Sequence, residues 1–224
     1  MAISTIWVFA QEANGAPTSG TLELLTKARS LGGSVAAFVG GDASAIAGAL
    51  GEFGASTVYA TGDLGGALPG VAVASAMKAA IDGGAAPDLI MFPQNYEGRD
   101  VMARLSVKLD RTVLTNSIDI AVDGDTVTAT TPVFGGNTLV TAAFTGSGPH
   151  LVAFRPKSFG AESAGGGAPD VVSAPVPDLG STAGATVTAV HVEESTGPKL
   201  DEADIVVAGG RGLVRPRSSP WSTS

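Results

Sequence analysis

The sequence contains no cysteine, which excludes disulfide bonds, thiolate metal sites and cysteine nucleophiles. It also has no long hydrophobic run near its start. The apolar stretch at 6–10 is too short for a secretory signal or a membrane span, and no basic segment precedes it. We therefore expect a cytoplasmic protein that does not insert into a membrane.

Positive charge is scarce as well. The 224 residues include 13 Lys and Arg against 21 Asp and Glu, which gives a net charge of −8. A chain with this charge repels phosphate backbones and anionic lipid surfaces. Nucleic acid is therefore not an expected partner.

Small and apolar residues dominate what is present. Hydrophobic residues make up 44% of the chain, aromatic residues only 5%, and there are 31 glycines. This composition is typical of α/β folds, in which small side chains pack between layers and tight turns join strands to helices.

The first half of the chain alternates between strand-like and helix-like patterns. Short apolar runs predict strands at 3–9, 34–39, 57–60 and 89–92, and helical spacing predicts helices at 20–29, 43–50, 71–81 and 99–109. Short strands buried on both faces and separated by helices predict a mainly parallel sheet flanked by helices, in three layers.

The pattern changes after residue 110. Strands are predicted at 113–122, 125–131, 138–144 and 151–154, with hairpin-like turns that indicate an antiparallel extension of the sheet. The Gly-, Ala-, Ser- and Pro-rich segment 160–184 predicts an irregular arm. A strand at 186–193 would close a first domain, 1–193, and a strand at 204–208 would begin a second one.

No pattern indicates a hydrolase or a metal site. His150 and His191 lack neighbouring ligands at metal-binding spacing, and no P-loop, nucleophile elbow or G-x-G-x-x-G motif is found at the expected place. The segment EGRD at 97–100 opens a predicted helix: Glu97 and Asp100 suit its N-terminus, whereas Arg99 and Arg104 could pair across a subunit interface.

The segment GGRG at 209–212 is the strongest candidate for ligand binding. Glycines that follow a parallel strand allow backbone N–H groups to point at an anion, and Arg211 adds a guanidinium that can bind phosphate oxygens. The same four residues also occur in ordinary turns, so their meaning depends on the surrounding motifs.

Several motifs, taken in order, resemble the α subunit of electron transfer flavoprotein. They are IWVFAQE, YEGRDVMARLSVKL, VFGGNTLVT, RPKSF followed by AGGG, and DIVVAGGRGL, and the resemblance covers residues 1 to 213. It implies an N-terminal α/β domain like that of adenine nucleotide alpha hydrolases. It also implies a heterodimer with a β subunit and one FAD, with Arg211 among the residues that contact the flavin.

The resemblance further implies an electron carrier, not an enzyme with acid, base or nucleophilic residues. Such a carrier takes electrons from acyl-CoA and other dehydrogenases, as in fatty acid β-oxidation, and passes them to a quinone reductase. The family's later FAD motifs are missing, so we expect 194–224 to be a linker and the start of an incomplete FAD-binding domain. Its tail departs from the family pattern from about residue 214, as after a truncation or frameshift.

Two alternatives remain open on the sequence alone. The first is a free-standing nucleotide-binding module with the universal-stress fold, and the second is a scaffold subunit without redox activity. Whichever interpretation holds, we expect that this chain by itself does not bind FAD stably, because a single arginine cannot offset the cost of ordering the ligand and its loop.

Overall fold

A sheet of seven parallel strands forms the centre of the protein in a computed structural model, which describes residues 3–189, 191, 203 and 205–209. The strands are β1 (Thr5–Ala10), β2 (Glu12–Ala13), β3 (Ala16–Pro17), β4 (Ser34–Val39), β5 (Thr57–Ala60), β6 (Leu89–Pro93), β7 (Val113–Ser117), β8 (Asp119–Asp123), β9 (Thr126–Val133), β10 (Thr138–Ala143), β11 (His150–Phe154) and β12 (Asp170–Ser173). The helices are α1 (Ser19–Ser30), α2 (Ala47–Glu52), α3 (Pro69–Asp82) and α4 (Tyr96–Leu109).

The order of strands in the central sheet is β12, β5, β4, β1, β6, β11, β7, and every neighbouring pair is parallel. Its inner strands are almost fully buried apolar runs, such as LIMFP in β6, because helices cover both faces. Helices α1 and α2 pack on one face, while α3 and α4 pack on the other. The predicted α/β class with three layers is confirmed.

The antiparallel strands form a separate sheet instead of extending the central one. Strands β8, β9 and β10 pair in the order β10, β9, β8, and Ile120, Val127 and Ala129 pack into the core on the α1 side. The single strand predicted at 113–122 is interrupted at Ile118. Its first half, β7, joins the central sheet in parallel, and Asn116 has a φ of 61°, which redirects the chain.

The arm after β11 crosses one face of the protein to reach the far edge of the sheet. The RPKSF turn just before it packs on α1, where the carboxylate of Glu23 accepts a hydrogen bond from Lys157 N at 2.9 Å. Farther on, Ala164 N donates to the carbonyl of Glu52 at the end of α2, at 2.8 Å. The arm then forms β12, which pairs with β5. The sequence predicts the irregular arm but not this strand.

The last part of the chain differs from the prediction where it is described. Thr186 forms only an isolated bridge with Ala67, and 187–189 carry no strand, so the strand predicted at 186–193 is absent from these residues. Residues 205–209 form no strand either, and the side chains of Ile205 and Val207 are exposed. The chain divides into two compact units, Met1–Thr188 and Ala189–Ser224. Nothing tests the domain boundary predicted at 193, which stays a prediction.

Across the described residues, every helix is too short or too polar to cross a bilayer.

Candidate functional site

The direction of chain winding reverses between β1 and β6. The chain places β4 and β5 on one side of β1 and then crosses the other face to place β6 on the opposite side. The loops that leave the carboxyl ends of β1 and β6 therefore diverge. Ligands of parallel α/β sheets bind in the crevice at such a switch point, so the residues that follow these two strands form the candidate site.

Three side chains meet in this crevice, and we call Gln11, Asn95 and Glu97 the switch-point cluster. Gln11 directly follows β1, Asn95 precedes α4, and Glu97 lies in the first turn of α4. Asn95 Nδ2 donates to Gln11 Oε1 at 2.6 Å, and Gln11 Nε2 donates to Glu97 Oε2 at 2.7 Å. Gln11 is buried, with only 9% of its surface exposed.

The start of α1 holds the backbone of Gln11 in place. Thr21 Oγ1 accepts a hydrogen bond from Gln11 N at 2.9 Å and lies 3.3 Å from Gln11 O, to which it donates. Thr18 N donates to the same carbonyl at 2.9 Å. The backbone of Gln11 is thus held by β1 and α1, and its side chain extends from there to α4.

The start of α4 is held by a side-chain cap. Asn95 Oδ1 accepts from Gly98 N at 2.8 Å, as in a typical N-cap. A Cβ atom on Gly98 would overlap the carbonyl oxygen of Pro93, so this position of the EGRD segment requires glycine. Glu97 lies in the first turn, as predicted, whereas Asp100 pairs with Arg104 inside the helix, at 2.8 Å.

Burial raises the pKa of the Glu97 carboxyl above its ordinary value, and the hydrogen bond from Gln11 offsets part of this rise. The Glu97 carboxyl thus accepts a hydrogen bond from the Gln11 amide at a half-buried position. Within the described residues, no group of three or more His, Asp and Glu side chains could hold a metal ion.

The switch-point cluster links β1 to α4 through side-chain hydrogen bonds. The oxygen of the Gln11 amide accepts from Asn95 and its nitrogen donates to Glu97, so both ends of this side chain already have partners. A nucleotide would need open backbone or side-chain donors for its phosphates at the same place. The cluster instead joins β1 to α4, which disfavours the alternative of a free-standing nucleotide-binding module.

The remaining predicted residues are not brought to this crevice. His150 lies at the start of β11, where its ring stacks on Phe144 with 4.4 Å between centroids. Gly135 and Gly136 form the turn between β9 and β10, and both have positive φ angles. Arg211 lies outside the described residues, so its contact with FAD stays a prediction.

Sequence reasoning missed Gln11 and Asn95. A signal was present, because each follows the carboxyl end of a strand in the segments FAQE and FPQN. The two strands become neighbours only in the folded sheet, at the β1–β6 pair. Residue spacing along the chain does not reveal that adjacency.

Comparison with known proteins places the sequence in a family. The family model described as "Electron transfer flavoprotein domain" matches residues 6–179. The chain belongs to the electron transfer flavoprotein family. The matched residues run from β1 to the segment that follows β12, so they include both the central sheet and the switch-point cluster.

Three curated relatives show how far the similarity extends. An electron transfer flavoprotein subunit alpha from Syntrophomonas wolfei is 31% identical over 212 residues, which are 94% of this chain and 66% of the relative. The subunit alpha of Mycobacterium tuberculosis is 30% identical over 94% of this chain and 65% of its own length. Protein FixB of Clostridium saccharobutylicum is 27% identical over 93% and 64%.

The chain thus spans slightly less than two thirds of the length of these relatives. The family resemblance noted in the sequence is confirmed, and it extends through nearly the whole chain. At the switch point the amide of Gln11 already bonds to Asn95 and to Glu97, which does not favour FAD at this place. No described side chain at that point is left as a phosphate clamp comparable to the one predicted for Arg211.

Proposed function

We propose that this chain acts as the α-type subunit of an electron carrier and supplies a docking domain for a second, β-type subunit. The observation that carries the proposal is the family match over residues 6–179, together with relatives named electron transfer flavoprotein subunit alpha. The switch-point cluster supports the same role, because its side chains bond to one another instead of presenting free donors to a nucleotide.

The cofactor of the assembled carrier is FAD, which supplies the redox chemistry. In an assembly that includes the β subunit, Arg211 would hold the phosphate oxygens of FAD or stabilise the flavin electrostatically. The residues of the switch-point cluster hold the start of α4 against the end of β1. The electron donors are acyl-CoA and other dehydrogenases, and the acceptor is a quinone reductase.

Co-expression with the β subunit of the same organism tests the proposal. We expect the full chain and the β subunit to co-elute as a 1:1 heterodimer that shows a flavin absorption spectrum, whereas the chain alone shows none. A purified chain that stays monomeric in the presence of the β subunit would overturn the assignment. A flavin spectrum of the chain alone would overturn the need for a second subunit.

Two arginine variants separate the redox role from the scaffold alternative. Arg211→Ala is expected to lower the flavin content of the heterodimer and leave the heterodimer itself intact. Arg217→Ala, in the same segment, serves as the matched control and should retain the flavin. A heterodimer that forms without flavin in the unsubstituted protein would favour the scaffold subunit without redox activity.

A further inference from the structure

The arm after β11 lies on the protein almost without burying side chains, and we call its residues 160–173 the strap. Within the strap only Pro169 is partly buried, and every other residue is exposed. Apolar anchors lie just beyond its two ends. The ring of Phe159 packs on Phe154 with 5.3 Å between centroids, and Ala174 is 6% exposed and packs into the core on the α3 side. The strap itself therefore adds little apolar burial to the fold.

The first attachment of the strap is the end of α2. Ala164 N donates to the carbonyl of Glu52 at 2.8 Å, and Ser163 Oγ donates to Glu52 Oε1 at 2.9 Å. Carbonyl groups in the last turn of a helix have no partner within that helix, so the strap supplies a donor that α2 lacks. The carbonyl of Gly167 then lies directly against Gly51, where a Cβ atom would overlap it.

The second attachment of the strap is the strand β5. Asp170 N donates to the carbonyl of Ser56 at 3.0 Å, and β12 then pairs with β5 in parallel. The side chains of Val171 and Val172 are 58% and 39% exposed, so backbone hydrogen bonds and not apolar contacts hold this strand. Within the described residues β12 is the last strand at its side of the sheet, and it covers the outer backbone groups of β5.

The two attachments lie close together in the sequence. Gly167 lies against α2, and β12 begins at Asp170, so only two residues separate the two contacts. A connection this short cannot release one attachment without pulling on the other. The three glycines at 165–167 regain much backbone freedom when the strap opens, because glycine loses more conformational entropy on folding than other residues.

Local stability is lowest in segments with few buried apolar contacts and exposed backbone hydrogen bonds. The strap has both properties, whereas the inner strands β1, β4 and β6 are almost fully buried. Opening of the strap therefore requires much less free energy than unfolding of the inner sheet.

We propose that the strap is a cover that opens and closes as one unit on the otherwise folded protein. When it is closed, it caps α2 and pairs with β5. When it is open, the rest of the central sheet stays folded, while the end of α2 and the outer edge of β5 become accessible to water. The opening involves this chain alone, so it does not depend on assembly with a second subunit.

Amide hydrogen exchange of the full chain at low urea concentrations tests the proposal. The amides of Ala164 and Asp170 report the two attachments, and the amides of β4 and β6 report global unfolding. We expect Ala164 and Asp170 to share one protection factor, at least about a hundredfold lower than those of β4 and β6. Their exchange should depend only weakly on urea, because little surface is exposed when the strap opens.

Gly51→Ala acts directly on the first attachment alone. The added Cβ atom overlaps the carbonyl of Gly167, so exchange at Ala164 should become faster by about tenfold or more. Because the strap opens as one unit, exchange at Asp170 should become faster by the same factor. Gly48→Ala on the same helix is the matched control: its Cβ atom meets nothing within 4 Å, and both amides should stay within about twofold.

Each outcome decides the proposal. Equal acceleration of Ala164 and Asp170 in Gly51→Ala, with weak urea dependence in the unsubstituted chain, supports a single cover. If both amides show the protection and urea dependence of β4 and β6, the strap opens only on global unfolding and the proposal is wrong. If Gly51→Ala accelerates Ala164 and not Asp170, the attachments open independently, which also overturns it.

Discussion

The side-chain amide of Gln11 donates to the carboxylate of Glu97 at 2.7 Å and so ties the end of β1 to the first turn of α4. The two residues lie 86 positions apart in the chain. Their contact fixes the start of α4 relative to the central sheet. The first prediction therefore concerns this pair.

Glu97→Gln should remove a pH-dependent loss of stability. Burial raises the pKa of Glu97 from its ordinary value of 4.5, so the folded protein holds the proton more tightly than the unfolded chain does. The contribution of Glu97 to the free energy of unfolding consequently falls as the pH rises through its raised pKa. The amide of a glutamine can still accept from Gln11 and carries no charge.

Urea unfolding at about pH 4 and about pH 7 measures this effect. We expect Glu97→Gln to gain stability relative to the unsubstituted protein as the pH rises between these values. Glu162→Gln, at an exposed position of the arm, is the control and should show no such gain. A stability difference between Glu97→Gln and the unsubstituted protein that does not change with pH would contradict the prediction.

Gly51→Ala should loosen the arm from α2. A Cβ atom at Gly51 would overlap the carbonyl oxygen of Gly167 and contact the ring of Pro169 at 2.7 Å. Relief of this overlap requires the arm to move, which we expect to cost about 1–3 kcal/mol in the free energy of unfolding. The denaturation midpoint in urea measures the loss.

Gly48→Ala, on the same helix, provides the matched control. A Cβ atom at Gly48 would meet nothing within 4 Å, so the substitution adds only helix propensity. We expect it to stabilise the protein by about 0.5–1 kcal/mol. Equal effects of the two substitutions would show that the arm does not pack against Gly51 as described.

Lys27 and Asp119 should be energetically coupled. Lys27 Nζ lies 2.7 Å from Asp119 Oδ1 and joins α1 to β8 of the smaller sheet. Partial burial opposes ionisation of Asp119, but hydrogen bonds from Lys27 and from the backbone of Ile120, together with the charge of Lys27, outweigh it and lower the pKa of Asp119. The stabilisation is therefore present above the ordinary pKa of 3.8 and is lost as the pH falls through the lowered value.

A double-mutant cycle with Lys27→Met and Asp119→Asn measures this coupling. Because the Asp119 side chain is 57% exposed, we expect a coupling of only about 0.2–1 kcal/mol at neutral pH. High salt should reduce the coupling further. Additive effects of the two substitutions at low salt would contradict the prediction.

Glu23→Ala should release the RPKSF turn. The Glu23 side chain is 8% exposed and accepts from Lys157 N at 2.9 Å, and the backbone groups of Phe159 and Ser158 also interact with it. Its removal leaves partly buried donors without an acceptor, which costs about 1–3 kcal/mol. Glu23→Gln keeps one acceptor oxygen and should cost less. Amide hydrogen exchange at Lys157 measures the release, and unchanged exchange in Glu23→Ala would contradict it.

Much of the central sheet could be predicted from the sequence. Strands β4 and β5 match the predicted ranges 34–39 and 57–60, because their apolar runs are bounded by clear turn residues. Helix α2 was predicted at 43–50 and lies at Ala47–Glu52. That offset is typical where no side chain caps the helix, and Ile46 at its N-cap makes no capping hydrogen bond.

Features that depend on distant contacts could not be predicted. The four residues of β12 (DVVS) have no pattern of their own, and they form a strand only because β5 offers an open edge. The switch-point cluster likewise depends on the adjacency of β1 and β6. Local propensity determines which of the longer segments form helices and which form strands. The switch-point cluster depends instead on residues more than 80 positions away in the chain.

The position of β12 affects how the protein folds during its synthesis. β12 pairs with a strand that was synthesised about 110 residues earlier, so one side of the sheet cannot be completed until nearly the whole domain has left the ribosome. Until then the outer backbone groups of β5 have no neighbour to pair with. Slow translation between β5 and β12 would lengthen the time during which the edge of β5 is unpaired and would favour mispairing there. Adding the arm to the chain earlier would shorten that time.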